Sequence, residues 1–193
     1  MIKNFCILLI IVSFFSCEED YMPKPKAFLR LDYPQAKYVE DNLELPFTFE
    51  TNLLATKISS KQVKVATGGY GLNIEYPLLK ATLFLTYKPI GSNNRNLRNY
   101  IRDAQNFTQK HMIKADEIPV FPYKNKERKV YGQFSQVIGD VASPAQFYVT
   151  DSVSHFVTGS LYFNVKTKYD SIFPATNYLE KDIQHIMETI KWK

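Results

Sequence analysis

The sequence is poor in the residues that most exported chemistry relies on. Among 193 residues it holds two cysteines (Cys6, Cys17), three histidines and one tryptophan. Cys6 falls inside an N-terminal apolar run and Cys17 directly after it. If the run is cleaved and Cys17 carries lipid, no thiol remains for a disulfide, a cysteine nucleophile or a cysteine-rich metal centre. His111, His155 and His185 are scattered, with no His-x-x-x-His pair, so no metal site is expected. Glycine is scarce as well, at seven residues. Its one cluster, Gly68-Gly69-Tyr70-Gly71, lacks the Lys-Ser/Thr of a phosphate loop and the spacing of a dinucleotide fingerprint. It reads as a turn between strands, and no cofactor is expected. No apolar run reaches the roughly twenty residues that cross a bilayer.

What the N-terminus does contain is an export signal. Lys3 supplies a positive n-region, Phe5 to Phe15 form the apolar stretch, and Ser16 precedes Cys17. A small residue before a cysteine at the end of such a stretch is what lipoprotein processing requires, although Phe14 stands where Leu is usual. The expectation is a signal peptide over 1–16, with Cys17 diacylated on its thiol and acylated, as by palmitate, on its new amine. Acyl chains contributing about 0.8 kcal/mol per buried methylene anchor a protein without a transmembrane helix. Residues 17–27 follow as a polar tether with Pro23 and Pro25, and 28–193 suit a single domain with a sizeable core.

Composition supports a folded, aromatic-rich domain, with 45% apolar residues, thirteen Tyr and fourteen Phe. The formal charge of +5 includes Lys3 and is too mild to imply nucleic acid, which an exported chain would not meet. The densest basic stretch, Lys124 to Lys129, contains Glu127 and reads as a solvated loop.

Period-two patterning predicts strands at Phe28–Tyr33, Pro46–Glu50, Leu72–Tyr76 and, most clearly, Lys80–Tyr87. After a turn at Pro89–Asn94, the spacing of Leu97, Tyr100, Ile101, Ala104, Phe107, His111 and Ala115 predicts a helix over Arg95–Ala115. Strands at Lys129–Ile138, Ala145–Thr150 and His155–Val165 are joined by links short enough to require antiparallel neighbours. A last helix is expected over Tyr178–Trp192, opened by a capping box of Asn177 and Glu180. The class is α+β, an antiparallel sheet flanked by helices. This order resembles the PsbP/Mog1-like layered fold, a likeness of topology that transfers no function.

Asp151, Ser152, Ser154 and His155 bring the side chains of a nucleophilic triad within one short stretch. A triad needs the histidine between hydroxyl and carboxylate and an oxyanion hole beside them. Residues on one tight turn rarely achieve that, and no Gly-x-Ser-x-Gly elbow is present. Asp151 and Ser152 suit a turn, with side chains bonded to nearby amides, and His155 suits a bonded core position. His111 reads as core packing and His185 as a helix-border residue. No catalytic residue is assigned.

One family likeness is carried by many stretches. Tyr21-Met22-Pro23-Lys24-Pro25-Lys26-Ala27-Phe28-Leu29-Arg30-Leu31 follows the lipid cysteine; Ile74-Glu75-Tyr76-Pro77, Leu85-Thr86-Tyr87-Lys88 and Val130-Tyr131-Gly132 come next. Gln146 to Ser152, His155-Phe156, Gly159 to Phe163, Asp170 to Pro174 and Ile190-Lys191-Trp192 complete it. Together they resemble the gliding-motility lipoprotein GldD family of the Bacteroidota. That resemblance implies an outer-membrane lipoprotein required for surface gliding and linked to type IX secretion, a non-enzymatic assembly component whose partners are other envelope proteins of that machinery. By the same likeness, Glu18, Glu19 and Asp20 resemble a surface-export signal, which leaves the periplasmic face and the cell surface both open. Asp151-Ser152-Val153 and Asp170-Ser171-Ile172 match a Bacteroidota O-glycosylation pattern, making Ser152 and Ser171 candidate acceptors, although turn chemistry explains both. The alternative reading is a periplasmic or surface binding module for a glycan or small envelope ligand, using exposed aromatics such as Phe156 or Tyr162.

Overall fold

The computed structural model describes residues 31–41, 43–63, 68–91, 94–165 and 168–193. The expected signal peptide over 1–16, Cys17 and the expected tether over 17–27 lie outside them. Three short strands open the described chain: β1 (Tyr38–Glu40), β2 (Phe47–Thr48) and β3 (Glu50–Asn52). They are followed by β4 (Lys57–Val63), β5 (Gly69–Tyr76) and β6 (Ala81–Pro89), then helix α1 (Asn94–Gln109). β7 (Ala115–Glu117), β8 (Val120–Asn125), β9 (Val130–Gln136), β10 (Ile138–Gly139), β11 (Ala145–Thr150) and β12 (His155–Phe163) come next. Helix α2 (Tyr169–Thr189) and β13 (Lys191–Trp192) end the chain. Seven strands form one antiparallel sheet in the order β4-β5-β6-β12-β11-β9-β8. The architecture is thus mixed α+β, as the patterning predicts.

The period of two decides what each face carries. Leu72 and Ile74 of β5, Leu83 and Leu85 of β6, Val157 and Leu161 of β12 and Val149 of β11 share one face and are buried. Leu179, Ile183, Ile186 and Met187, at three- and four-residue steps along α2, cover that face. Phe47 of β2 joins this core between Tyr87 (centroids 5.6 Å) and Trp192 (6.2 Å). Gly159 pairs directly with Phe147, whose ring lies where a Cβ would stand (2.0 Å), so glycine is required there by close approach.

Several boundaries depart from the sequence reading. Residues 31–33 are not in a strand, and 28–30 lie outside the described residues. α1 ends at Gln109 rather than Ala115, because Lys110–Ile113 tighten into a 3-10 turn and Ala115 is drawn into β7, which pairs with β10. α2 begins at Tyr169, nine residues before the predicted start. Its first amide is held by Asp140 Oδ1 (2.8 Å), a cap supplied from a distant loop. Asn177 therefore lies exposed in mid-helix, and Glu180 is buried rather than part of a capping box. Trp192 belongs to β13, paired with β2. Gly69 to Gly71 belong to β5 rather than to a turn; Gly68, at φ +72°, precedes them.

Candidate functional site

The opposite face of the sheet is polar. Alternation sends Thr86 and Lys88 of β6, Thr158 and Ser160 of β12, Gln146 and Tyr148 of β11, and Gln133 and Ser135 of β9 to that side. α1 crosses it and is held at two points. Phe156, fully buried, lies 5.5 Å from Tyr100 of α1 and stacks on Tyr148 at 5.6 Å and 18°. Eight residues along the helix, Thr108 Oγ1 donates to Gln146 Oε1 at 2.7 Å, both side chains being buried. Between these points a cleft of about 280 Å³ opens, lined by hydroxyls and amides of the sheet and by Tyr100, Phe107 and Tyr148. Its two charged residues are of opposite sign: Asp103, and Lys88, whose Nζ sits 5.0 Å over the Tyr100 ring. Burial raises the Tyr148 phenol above its ordinary range, so it stays a neutral hydrogen-bonding group.

The cleft continues past Thr86, Thr158 and Ser160 into a more open depression of about 620 Å³. Phe84 and Tyr162 stand there edge to face, 5.6 Å apart at 78°, and Phe84 is 40% exposed.

The Asp151 turn holds no assembled triad. Asp151 Oδ1 accepts the amides of Val153, Ser154 and His155 at 2.8–2.9 Å, closing an Asx-type turn between β11 and β12. Ser152 serves the turn through its backbone, at φ +68°, while its amide donates to Thr150 Oγ1 (2.9 Å). The His155 ring turns away, with Nδ1 3.0 Å from the Tyr87 hydroxyl and its plane stacked on Trp192 at 5.2 Å.

A second polar cluster joins the N-terminal strands to α2. The Asp182 carboxylate is 1% exposed and accepts hydrogen bonds from Tyr38 Oη (2.8 Å) and Asn52 Nδ2 (2.9 Å). Burial pushes its pKa up, and those two donors pull it back. His185 lies 2.7 Å from Glu50 and stacks on Tyr38. Nearby on α2, burial raises Glu180 to about 7, against the hydrogen bond it accepts from Gln136 (2.6 Å). Among the described residues no three His, Asp or Glu side chains converge as metal ligands would.

The model of one family, gliding motility lipoprotein GldD, matches residues 18–192. The chain belongs to the GldD family. No curated protein and no solved structure matches it. Membership makes this a gliding motility lipoprotein, with the membrane association and envelope location that such a lipoprotein has.

Several residues singled out in this GldD-family sequence are placed apart by the fold. Cys17 lies outside the described residues. Ser152 is exposed on the Asp151 turn; Ser171 is exposed in the first helical turn of α2, so turn chemistry does not account for it. His111 is half-buried in the 3-10 turn, edge-on to Phe107 at 5.7 Å, rather than in the core. The Lys124 to Lys129 stretch is the tip of the β8–β9 hairpin. Phe156 is not an exposed aromatic: alternation puts it on the outer face, but α1 covers it completely. Tyr162 does stand at the rim of the open depression. The cleft itself escaped sequence reasoning. Its one signal was the polar set Thr86, Thr158 and Ser160, alternating with the buried residues of two central strands.

Proposed function

We propose that this GldD-family protein is a non-enzymatic assembly component of the gliding apparatus, linked to type IX secretion and held at the outer membrane by lipid on Cys17. The observation that carries the reading is the family match, which begins at Glu18, directly after the cysteine. The lipid confines the domain to the membrane surface, where partner proteins of the same machinery reach it at high effective concentration. A non-catalytic role is supported by the capture of Asp151 Oδ1 by three backbone amides and by the wedging of His155 between Tyr87 and Trp192. The exposed Ser152 and Ser171 remain candidate O-glycan acceptors in this reading. The helix-on-sheet order is in keeping with a PsbP/Mog1-like layered domain beginning near residue 28, behind a tether over 17–27.

The test is genetic. Deletion abolishes gliding, the wild-type gene restores it, and Cys17→Ser does not; restoration by an unlipidated, stably expressed Cys17→Ser protein removes the anchor from the account. The triple change Asp151→Ala, Ser152→Ala, His155→Ala leaves gliding intact wherever the protein folds, and a folded but inactive triple mutant would return that turn to consideration as a catalytic site.

A further inference from the structure

The outer-face cleft is an unusual thing to bury. A helix laid on a sheet normally covers apolar side chains, because burying hydroxyls and amides gains nothing unless each finds a partner. Here α1 is instead propped on Phe156 at one end and the Thr108–Gln146 hydrogen bond at the other. The span between is left open over Thr158, Ser160 and Gln133. Those groups are fixed by β-strands, so their spacing is preorganised, as in a binding site rather than a packing defect.

The lining also restricts what enters. A hydrocarbon would strand the hydroxyls and amides without partners. An anion would find one lysine, already over the Tyr100 ring, opposed by Asp103; a cation would find that single carboxylate opposed by Lys88. Neutral hydrogen-bonding groups flanked by aromatic rings suit a molecule with hydroxyls around its edge and C–H groups on its faces. The cleft, at about 280 Å³, falls just below the roughly 300–1,000 Å³ usual for small-molecule sites. Its continuation toward Phe84 and Tyr162 offers further aromatic surface along one line.

We propose that the cleft between α1 and the outer sheet face binds a short neutral oligosaccharide, with one ring over Thr158 and Ser160 beside Tyr148 and the next ring stacked on Phe84. This goes beyond the assembly reading and does not depend on it: the assembly reading stands or falls with Cys17 and gliding, the proposal with ligand binding to purified protein.

The experiment titrates the full lipidated chain, in a zwitterionic detergent without a sugar headgroup, with malto-, cello- and N-acetylated chito-oligosaccharides from disaccharide to hexasaccharide. Side-chain amide NMR signals of Gln133 and Gln146 report the cleft. At least one series is expected to shift those signals saturably, with affinity rising with chain length. Thr158→Val with Ser160→Ala removes two hydroxyls at nearly constant shape, and is expected to weaken binding about tenfold or more, at unchanged melting temperature. Phe84→Ala, at an exposed position, is expected to leave disaccharide affinity unchanged and to erase the gain from added rings. The proposal is overturned if no series shifts the signals at millimolar concentration, if the double variant binds as the wild type does, or if an oligogalacturonate control binds more tightly than every neutral sugar.

Discussion

On the face covered by α2, the sheet contributes Leu72, Ile74, Leu83, Val149 and Leu161 to a continuous apolar core, each no more than 1% exposed. On the face covered by α1, the same sheet contributes Thr86, Gln133, Gln146, Thr158 and Ser160. Both helices are amphipathic, yet they are held differently. α2 buries a full stripe, and each fully buried aliphatic side chain contributes about 1.5–3 kcal/mol. α1 leaves Leu97, Tyr100, Ile101 and Ala104 only half-buried and Phe107 exposed, so its seat rests on Phe156 and a hydrogen bond. One side of the sheet stabilises the fold, while the other supports a helix over a space. Opening free energies differ across a structure according to such local burial, and binding elements come from the weaker end.

The largest test of this contrast truncates one residue on each face. Leu161→Ala removes a fully buried side chain from the α2 face and is expected to cost about 4 kcal/mol in denaturant unfolding, with all amides losing protection together. Phe156→Ala is expected to cost about 3 kcal/mol locally. Its signature is loss of exchange protection across α1 while α2 amides keep theirs. If Phe156→Ala weakens α2 as much as α1, the two faces form one cooperative unit and the contrast fails.

Residues that obey one period within one element were legible in the sequence. β6, β11 and β12 were read closely because their alternation is set by a buried face, and the register of β12 on β6 follows from it. Edge strands escaped: β8 is nearly all exposed and β4 reads KISSKQV, so neither shows a sustained apolar alternation in the sequence. The start of α2 escaped because Asp140 caps it from a different loop, which no local pattern announces. The end of α1 escaped because the pairing of β7 with β10 overrides a periodicity that runs on in the sequence. The cleft is drawn from Lys88, Tyr100, Gln133, Gln146 and Ser160, which lie far apart in the chain and carry no motif.

A smaller effect sharpens the account of the α2 face, where Glu180 is one of the buried polar residues. Its carboxyl is 8% exposed and titrates at about 7 in the folded protein, against an ordinary 4.5. The folded state therefore holds this proton more tightly than the unfolded chain does. That contribution to stability is complete below about pH 4.5 and is lost as pH rises to about 7. Glu180→Gln keeps an acceptor for Gln136 and removes the titration. It is expected to raise stability at pH 8 by on the order of 2 kcal/mol, with little change at pH 4. Equal stabilisation at both pH values would mean that burial of Glu180 is not what the mutation relieves.

The smallest effect concerns the β11–β12 turn, which joins strands that contribute to both faces. Ser152 sits at φ +68°, a left-handed conformation that strains an L-residue by roughly 1–2 kcal/mol and that glycine adopts freely. Glycine also gains entropy in the unfolded chain, which offsets part of the relief. Ser152→Gly is therefore expected to stabilise the domain by about 0.5–1 kcal/mol, read from the denaturation midpoint at constant slope. Because Asp151 Oδ1, and not Ser152, ties the turn amides, the substitution leaves those hydrogen bonds in place. The same variant lacks any hydroxyl at this position, so it separates backbone from chemistry. A more stable Ser152→Gly protein that still supports gliding assigns the residue to turn geometry; a more stable protein that no longer does would make the hydroxyl itself, as glycan acceptor or contact, the functional group.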